Sequence, residues 1–321
     1  MQSAPKTLVQ AIKYFADLDN CIDYLANRRW PKGPICPTCG RTDVTYVPSR
    51  RLWQCKTRHP KAQFSIKTGT VLEDSPLGLD KWLPVMWMVA NCKNGVSSWE
   101  IHRSLGVTQK TAWFMLHRIR LGMQDGFYGG KLGSGPDAEV EVDETFIGGK
   151  ARNMHKDRKA RLTGRIDDDK TVVVGFLERG GKVRTQIVTK RQKQNLQPIV
   201  REQVQAGAAL YTDALKAYIG LDTDYGHQVV DHAVEYVHGR VHTNTLENFW
   251  SLLKRGLHGT YVSVEPFHMF RYLDEQMFRF NNRKDMDDSD RFRLLCTQIV
   301  GKRLTYAELT AKEDKKPEAI F

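Results

Sequence analysis

The sequence lacks an apolar run long enough to cross a membrane, since its most apolar stretch, Trp82 to Ala90, would span only part of a bilayer. No cleavable signal, internal repeat or low-complexity tract is recognised either. These absences favour a cytoplasmic protein without a membrane partner. Acidic residues are also outnumbered, 37 against 49 lysines and arginines, so the formal net charge is +12. Such an excess favours a polyanionic partner such as nucleic acid.

Cysteine is scarce, with six residues in a chain of 321, which excludes a disulfide scaffold. The run CPTCG from Cys36 to Gly40 instead has the spacing of a zinc knuckle, and Cys55 and His59 complete a tetrahedral set for one structural zinc. A second CxxC would be a cleaner match than Cys55 and His59. The alternative is two free thiols in a turn beside an unrelated cysteine and histidine. The other cysteines are expected as small buried hydrophobes: Cys21, Cys92 and Cys296.

The N-terminal part of the chain has helical periodicity. Residues Thr7 to Leu25 form one predicted amphipathic helix, and Leu79 to Asn91 form an apolar one. Ser97 to Glu100 has the spacing of a capping box for a helix through Leu105, and a further helix follows from Gln109 to Leu121. This order predicts a helix-turn-helix; three packed helices without a role in DNA binding are the alternative. The last helix carries the residues expected to contact DNA: Lys110, His117, Arg118 and Arg120.

A glycine-rich stretch, Gly129 to Pro136, marks a domain boundary, beyond which strands and helices alternate. Three consecutive strands followed by alternating helices predict an α/β layer with a mixed sheet. The predicted strands are 139–144, 171–178, 182–189, 208–212 and one near Val234 to Val237, and the predicted helices are Gln192 to Gln205, a short one ending at Tyr218, and Tyr272 to Arg283. A basic insertion at 147–165 is either a solvated loop or, as we expect, a phosphate contact through Lys150, Arg152, Lys156 and Arg158.

One further helix, from His242 to His258, is predicted to carry the chemistry. Its polar stripe consists of residues three or four positions apart: Asn244, Glu247, Ser251 and Lys254. The opposite side is apolar and is expected to anchor the helix in a core through Leu246, Phe249, Trp250, Leu253 and Leu257. A carboxylate and a lysine two turns apart therefore project from a rigid element.

Two aspartates are predicted to meet this helix. Asp143 and Asp213 each end a predicted strand that opens into a loop. Together with Glu247 they could hold a pair of divalent cations, with Lys254 beside them to meet a phosphate. That set suits in-line phosphoryl transfer. The alternative is a solvated Glu–Lys pair on a helix and two aspartates that act as turn or cap residues.

In this order, the motifs resemble those of bacterial insertion-sequence transposases of the DDE superfamily, in the group whose catalytic core follows a zinc ribbon and a helix-turn-helix. The resemblance spans nearly the whole chain, through the motifs RWP, CPTCG, KTGT, VEVDETFIGG, YTDALKAY, HTNTLENFW with LLKR, and RFNNR. It implies a ribonuclease-H-like core in which Asp143 and Asp213 bind two Mg²⁺ or Mn²⁺ ions.

The third metal ligand is open between two residues. Members of this group can carry Asn in place of Glu, and the sequence offers both Asn244 and Glu247. Glu247 is preferred because Lys254 follows it by seven residues, the spacing of the basic residue that accompanies the third acid in the superfamily. His59 departs from the CxxC pattern of the group and leaves the fourth zinc ligand open.

The resemblance implies a two-step reaction on double-stranded DNA. Water attacks a phosphodiester at the end of the element, and the exposed 3′-hydroxyl then attacks target DNA. A homodimer or higher synaptic complex in the bacterial nucleoid is expected to carry it out, with Arg255 among the DNA contacts. The alternatives are a nuclease or resolvase on the same fold, and a DNA-binding regulator with an inactive core.

We expect an α+β multidomain chain with four parts. These are an N-terminal helix and zinc ribbon (1–75), a helix-turn-helix region (76–130), a ribonuclease-H-like α/β core with a mixed sheet (131–290), and a C-terminal helix with a charged tail (291–321).

Overall fold

The computed structural model describes residues 4–124, 130–148, 170–230 and 241–311. The chain forms two compact units, one made of Met1–Gln124 with Asp285–Phe321 and the other of Asp125–Lys284. Both α-helices and β-sheets are present, so the fold is of the mixed α+β kind. The finer division into four domains stays a prediction. The strand expected near Val234 and the charged tail beyond Ala311 lie outside the described residues.

Two helices open the first unit, α1 (Leu8–Phe15) and α2 (Leu18–Arg29). The prediction of one continuous helix from Thr7 to Leu25 is therefore wrong. Asp17 has extended backbone between them, and its carboxylate accepts a hydrogen bond from the backbone N–H of Asp19. A short acidic side chain that caps a helix in this way competes with continuation of the preceding one. Hydrophobic periodicity alone does not reveal such a break.

A small antiparallel sheet follows, with strands β1 (Val44–Val47), β2 (Leu52–Cys55) and β3 (Gln63–Phe64) in that order. Trp53 of the central strand is buried in contact with two aromatic rings. Its centroid lies 5.0 Å from that of Trp30 and 6.1 Å from that of Phe64. Such contacts give a small module an apolar core.

Three helices complete this stretch of the first unit, α3 (Leu79–Asn91), α4 (Ser98–Leu105) and α5 (Gln109–Met123). The predicted capping box is confirmed, since the Ser97 hydroxyl accepts the backbone N–H of Glu100 and the Glu100 carboxylate accepts that of Ser97. Gly106 ends α4 with φ of 65°, a left-handed conformation that favours glycine. Among the described residues, no helix is both long and apolar enough to cross a bilayer.

The second unit is built on a five-stranded sheet. Its elements in chain order are β4 (Glu139–Ile147), β5 (Thr171–Glu178), β6 (Val183–Val188), α6 (Lys193–Gln203), β7 (Ala209–Asp213) and β8 (Gly226–Val230). The strands lie in the order β6-β5-β4-β7-β8. β4, β5 and β6 are antiparallel neighbours, whereas β7 is parallel to β4 and β8 is parallel to β7. The predicted mixed sheet is confirmed.

Helices cover both faces of this sheet. Val140 and Val142 point to one face and pack in a core with Leu196 and Val200 of α6. The other face is covered by α7 (Asn244–Gly256) and α8 (Met269–Asn281). There a second core joins residues of the two helices to the sheet: Val173, Leu177, Leu246, Phe249, Trp250, Leu253, Leu273 and Phe280. Residues of β4 at odd positions therefore face α7, because side chains alternate along a strand.

The chain then returns to the first unit with α9 (Asp288–Gln298) and α10 (Tyr306–Thr310). Phe292 of α9 is fully buried, with its ring centroid 5.0 Å from that of Trp87 and 5.5 Å from that of Phe15. Cys21 and Cys296 are buried as expected, whereas Cys92 is partly exposed.

Gly175 of β5 allows α7 to approach the sheet closely. It pairs directly with Asp143 of β4. A Cβ atom at this position would lie 2.6 Å from Trp250 and 3.0 Å from Leu246. Only glycine leaves room for the indole ring here.

We therefore expect Gly175→Ala to destabilise the protein by about 1–3 kcal/mol, the usual cost of overpacking a core. The control is Gly226→Ala in β8, where a Cβ would meet its nearest atoms at an ordinary 3.7 Å. Urea unfolding of both variants measures the difference. Equal stability of the two would contradict the close approach of α7.

Candidate active site and zinc site

The pairing of β4 with β7 brings two predicted site residues together. The two strands are parallel, with Val142 opposite Thr212, so Asp143 and Asp213 follow at adjacent points. Asp213 ends its strand as predicted, but Asp143 does not, because β4 continues to Ile147 in pairing with β5. Asp143 instead lies just past the point where the β4–β7 pairing stops.

A third carboxylate joins the two aspartates, and sequence reasoning missed it. Ligand atoms of Asp143, Glu144 and Asp213 all lie within 4.8 Å of one another. The Glu144 carboxylate accepts a hydrogen bond from the hydroxyl of Tyr218, which is buried. The only sequence feature that could have indicated Glu144 is its position directly after Asp143. Neighbouring side chains of a strand point to opposite faces of the sheet, so two of them are not expected at one site.

Burial and mutual repulsion dominate the electrostatics of this carboxylate cluster. Burial raises the pKa of Asp143 to about 6, and the charge of Asp213 adds to the rise, while hydrogen bonds from the Glu144 backbone N–H and the Trp250 indole oppose it. Burial raises the pKa of Glu144 to about 8, against the hydrogen bond from Tyr218, and the two aspartates add to the rise. The cluster therefore holds more negative charge than it can stabilise alone, which is the condition a bound divalent cation relieves.

Helix α7 lies directly against the cluster. The indole Nε1 of Trp250 donates a hydrogen bond of 3.0 Å to Asp143 Oδ2. Glu247 is exposed, one turn before Trp250, and its charge contributes to the raised pKa of Asp143. Asn244 is the exposed first residue of the helix, and Lys254 is half-buried two turns beyond Glu247. Among the described residues, the tight carboxylate group contains Glu144 and not Glu247.

The expected DNA contacts on α5 divide into two kinds. Lys110 is exposed in the first turn. His117, Arg118 and Arg120 are buried, with at most 4% of their surface exposed, whereas a contact with DNA needs an exposed side chain, so that contact stays a prediction. Arg118 donates instead to the backbone carbonyl of Glu73 and lies against the rings of Trp82 and Phe114. The aliphatic parts of these long basic side chains pack in the core of the helical region.

The remaining expected contacts lie elsewhere in the chain. Arg255 is exposed on α7. The basic insertion residues Lys150, Arg152, Lys156 and Arg158 lie outside the described residues.

The four predicted zinc ligands, Cys36, Cys39, Cys55 and His59, do come together in the first unit, within 4.8 Å of one another. Cys39 Sγ lies 3.7 Å from Cys55 Sγ, and Cys36 Sγ lies 3.5 Å from His59 Nε2. A tetrahedral zinc with ordinary bond lengths separates two sulfurs by about 3.8 Å, and a sulfur from a nitrogen by about 3.6 Å. The donor set therefore fits one zinc ion.

The environment of His59 supports its place in this set. Its Nδ1 lies 2.7 Å from the backbone carbonyl of Pro60, so a proton on Nδ1 is donated there and Nε2 is left free as a ligand. Burial opposes ionisation of Cys55, but its interactions with the His59 side chain and the Thr57 backbone bring its pKa down to about 7. A thiolate at neutral pH is the form that binds zinc.

Two models of known protein families match parts of the chain. Residues 134–281 match the ISXO2-like transposase domain, and residues 17–57 match a transposase zinc-ribbon domain. The chain is similar to an uncharacterized protein in transposable element ISH50 of Halobacterium salinarum, 28% identical over 77% of this chain and 85% of the relative. It is also similar to an uncharacterized transposase-like protein of Haemophilus influenzae, 33% identical over 32% of this chain and 82% of the relative. No solved structure matches.

For the zinc site, we expect metal analysis of the purified protein to find about one zinc per chain, because four protein ligands close one tetrahedral site. His59→Cys should keep the zinc, since it restores a Cys₄ set, and His59→Ala should lose most of it. Protein prepared without chelator is measured by atomic emission. Full zinc content in His59→Ala would assign the fourth ligand to another group.

For the carboxylate cluster, we expect Glu144→Gln to stabilise the metal-free protein more as the pH rises. With a pKa of about 8 against an ordinary value of 4.5, folded Glu144 keeps a proton that the unfolded chain releases. The unfolded state then binds fewer protons, so wild-type stability falls as the pH rises from about 4.5 to about 8. Glutamine still accepts the Tyr218 hydroxyl but does not titrate.

Urea unfolding from pH 5 to pH 9 in the presence of chelator measures this effect, with the exposed Glu202→Gln as the control. The stability difference between Glu144→Gln and the wild type should grow up to about pH 8 and then level off. A difference that stays constant with pH would contradict a buried acid at this position.

Proposed function

The chain belongs to the family of ISXO2-like transposases, and we propose that it is a DDE-type DNA transposase. In this proposal it binds the inverted-repeat ends of an insertion sequence, cleaves them by metal-dependent hydrolysis and joins the 3′-hydroxyl ends to target DNA. The observation that carries the proposal is the meeting of Asp143 and Asp213 at adjacent points of two parallel strands, with α7 bound to Asp143 through Trp250. A mixed sheet covered by helices on both faces also supports a ribonuclease-H-like core.

The metal-binding acids are proposed to be Asp143, Asp213 and Glu247. Together they would hold two Mg²⁺ or Mn²⁺ ions, hard cations that prefer carboxylate oxygens. When bound, such ions supply Lewis-acid stabilisation of the attacking and leaving oxygens of a phosphodiester. The raised pKa values of Asp143 and Glu144 fit a site whose negative charge is balanced by cations.

Three residues compete for the role of third ligand. Glu247 is exposed, and its charge already acts on Asp143. Asn244 precedes it by one turn on the same exposed side. Glu144 is nearest to the aspartates but has an oxygen committed to Tyr218. We keep Glu247 as the third ligand and expect Glu144 to support the site from the opposite face of β4.

Lys254 and Arg255 are proposed to contact the DNA backbone beside the scissile bond. Both lie in the last turn of α7, two turns beyond Glu247. An ammonium or guanidinium there would attract a phosphate and position it for in-line attack, and such positioning strongly affects the rate. The metal ligands and the phosphate contact would then share one rigid helix.

Recognition of the element ends is proposed for the first unit. Helices α4 and α5 with the turn at Gly106 would form a helix-turn-helix, whose second helix presents its N-terminal turn to a major groove. Lys110 is the exposed basic residue of that turn. The zinc ribbon would add a second DNA-binding element. Synapsis of two ends would require a homodimer or a higher complex in the bacterial cytoplasm.

A strand-transfer assay with labelled oligonucleotide ends tests the proposal. The wild type with Mg²⁺ or Mn²⁺ should both cleave the ends and join them to target DNA. Cleavage without joining would indicate a nuclease or resolvase on the same fold. Binding without cleavage would indicate a DNA-binding regulator with an inactive core.

We expect Asp143→Ala, Asp213→Ala and Glu247→Ala each to abolish cleavage and joining while end binding stays nearly intact. Each change removes a metal ligand and leaves the proposed DNA-reading helices untouched. The matched control is Asn244→Ala on the same side of α7, which should keep substantial activity. Activity retained by Glu247→Ala and lost in Asn244→Ala would transfer the role of third ligand to Asn244.

A further inference from the structure

We propose that Glu141 is a positioning residue that holds α7 in register with the strand bearing Asp143. The inference rests on the proposed function, because the register matters for catalysis only if Glu247 on α7 and Asp143 on β4 act together. Glu141 lies two residues before Asp143 on the same face of β4 and has no solvent exposure. A fully buried carboxylate is costly unless both of its oxygens are satisfied.

Glu141 provides a cap for α7 from a neighbouring strand. Its Oε2 accepts a hydrogen bond of 2.9 Å from the backbone N–H of Leu246 in the first turn of the helix. The N-cap residue Thr243 makes no side-chain capping bond of its own. A negative charge at this end also interacts favourably with the helix dipole. The position of α7 along the sheet therefore depends on Glu141.

Arg179 holds Glu141 in place and extends the contact to the strand of the second aspartate. Its Nε donates a hydrogen bond of 2.8 Å to Glu141 Oε1, and its Nη2 donates one of 2.8 Å to the carbonyl of His242 just before α7. Its guanidinium also lies 4.6 Å from the ring centre of Tyr211, which pairs with Glu141 across the sheet. Tyr211 precedes Asp213 by two residues, as Glu141 precedes Asp143. One partly buried cation thus joins β4, β7 and the start of α7.

A second contact fixes the helix one turn further on, where Trp250 donates to Asp143. Glu247 lies between these two points of attachment. A slip of one residue along the helix would shift α7 by about 1.5 Å and break both hydrogen bonds. Catalytic groups need to be held within about 0.5 Å of their productive position. Two contacts on either side of Glu247 fix its position along the helix axis. Gly175, under the indole ring, lets the second contact form.

An amide cannot replace the carboxylate of Glu141. The carboxylate accepts from Leu246 on one oxygen and from Arg179 on the other. Glutamine has one oxygen and one NH₂ group. In either orientation the NH₂ group faces one of the two donors, the backbone N–H of Leu246 or the Nε–H of Arg179, and cannot accept from it. Glu141→Gln therefore loses one of the two contacts without changing the size of the side chain.

Glu139→Gln is the matched control. Glu139 is also on β4 and also accepts from Arg179, at 3.2 Å, and from the hydroxyl of Tyr211. These two partners, Arg179 and Tyr211, both lie outside α7. Its amide variant therefore weakens the same arginine contact but leaves the cap of the helix in place.

The experiment measures Mn²⁺ binding to the full chain without DNA, together with amide hydrogen exchange of α7. We expect Glu141→Gln to bind Mn²⁺ about tenfold more weakly than the wild type, the low end of the usual loss when a metal ligand is no longer correctly held. Exchange at the first turn of α7 should be faster. Glu139→Gln should match the wild type within about twofold in Mn²⁺ affinity and should leave exchange in α7 unchanged. If Glu141→Gln fails to fold, the double variant Glu141→Gln with Arg179→Met is measured instead. It also removes the guanidinium that has lost its ion pair with residue 141, and it should show the same loss of Mn²⁺ affinity.

The possible results separate the two proposals. Equal Mn²⁺ affinity and equal exchange in the Glu141 and Glu139 variants would overturn the positioning role and leave the proposed function standing. A wild type that binds no Mn²⁺ and cleaves no DNA would overturn the proposed function. The exchange of α7 would then decide by itself whether Glu141 holds the helix.

Discussion

The parallel pairing of β4 with β7 is the constraint on which the candidate site depends. It brings Asp143 and Asp213, which are far apart in the chain, to adjacent points of one sheet. Because parallel strands cannot be joined by a tight turn, the chain between them must cross over, and it does so through two antiparallel strands and α6. The same crossover places one apolar layer under the sheet and leaves the other face free for α7 and α8.

The site is assembled at an electrostatic cost that the metal-free protein bears alone. Burial and the nearness of the two aspartates raise the pKa of Asp143 and of Glu144 well above their ordinary values. Hydrogen bonds from Trp250 and Tyr218 reduce this cost but do not remove it. In such a preorganised cluster, the repulsion that destabilises the metal-free protein is relieved when a cation binds. Sites that destabilise the free protein but serve its function are common.

The zinc site and the carboxylate cluster differ in how they depend on the surrounding fold. The ribbon has a small aromatic core around Trp53, and a zinc ion held by the four converging ligands would contribute to its folding directly. The carboxylate cluster lies on a large sheet with two helical layers, and its geometry is set by the packing of the scaffold. Loss of zinc is therefore expected to affect folding of the first unit, whereas loss of a carboxylate is expected to affect the proposed reaction.

The sequence by itself determined the features that depend on local pattern. Ligand spacing predicted the zinc set, the capping box at Ser97 predicted the start of α4, and alternating strands and helices predicted a mixed sheet. The tertiary structure decided what depends on long-range contact. It split the first predicted helix at Asp17, buried Arg118 and Arg120 instead of exposing them, extended β4 beyond Asp143, and brought Glu144 and Tyr218 together. Glu141 is the clearest case, since its role depends on a helix about a hundred residues further along the chain, and periodicity carries no information about such a distant partner.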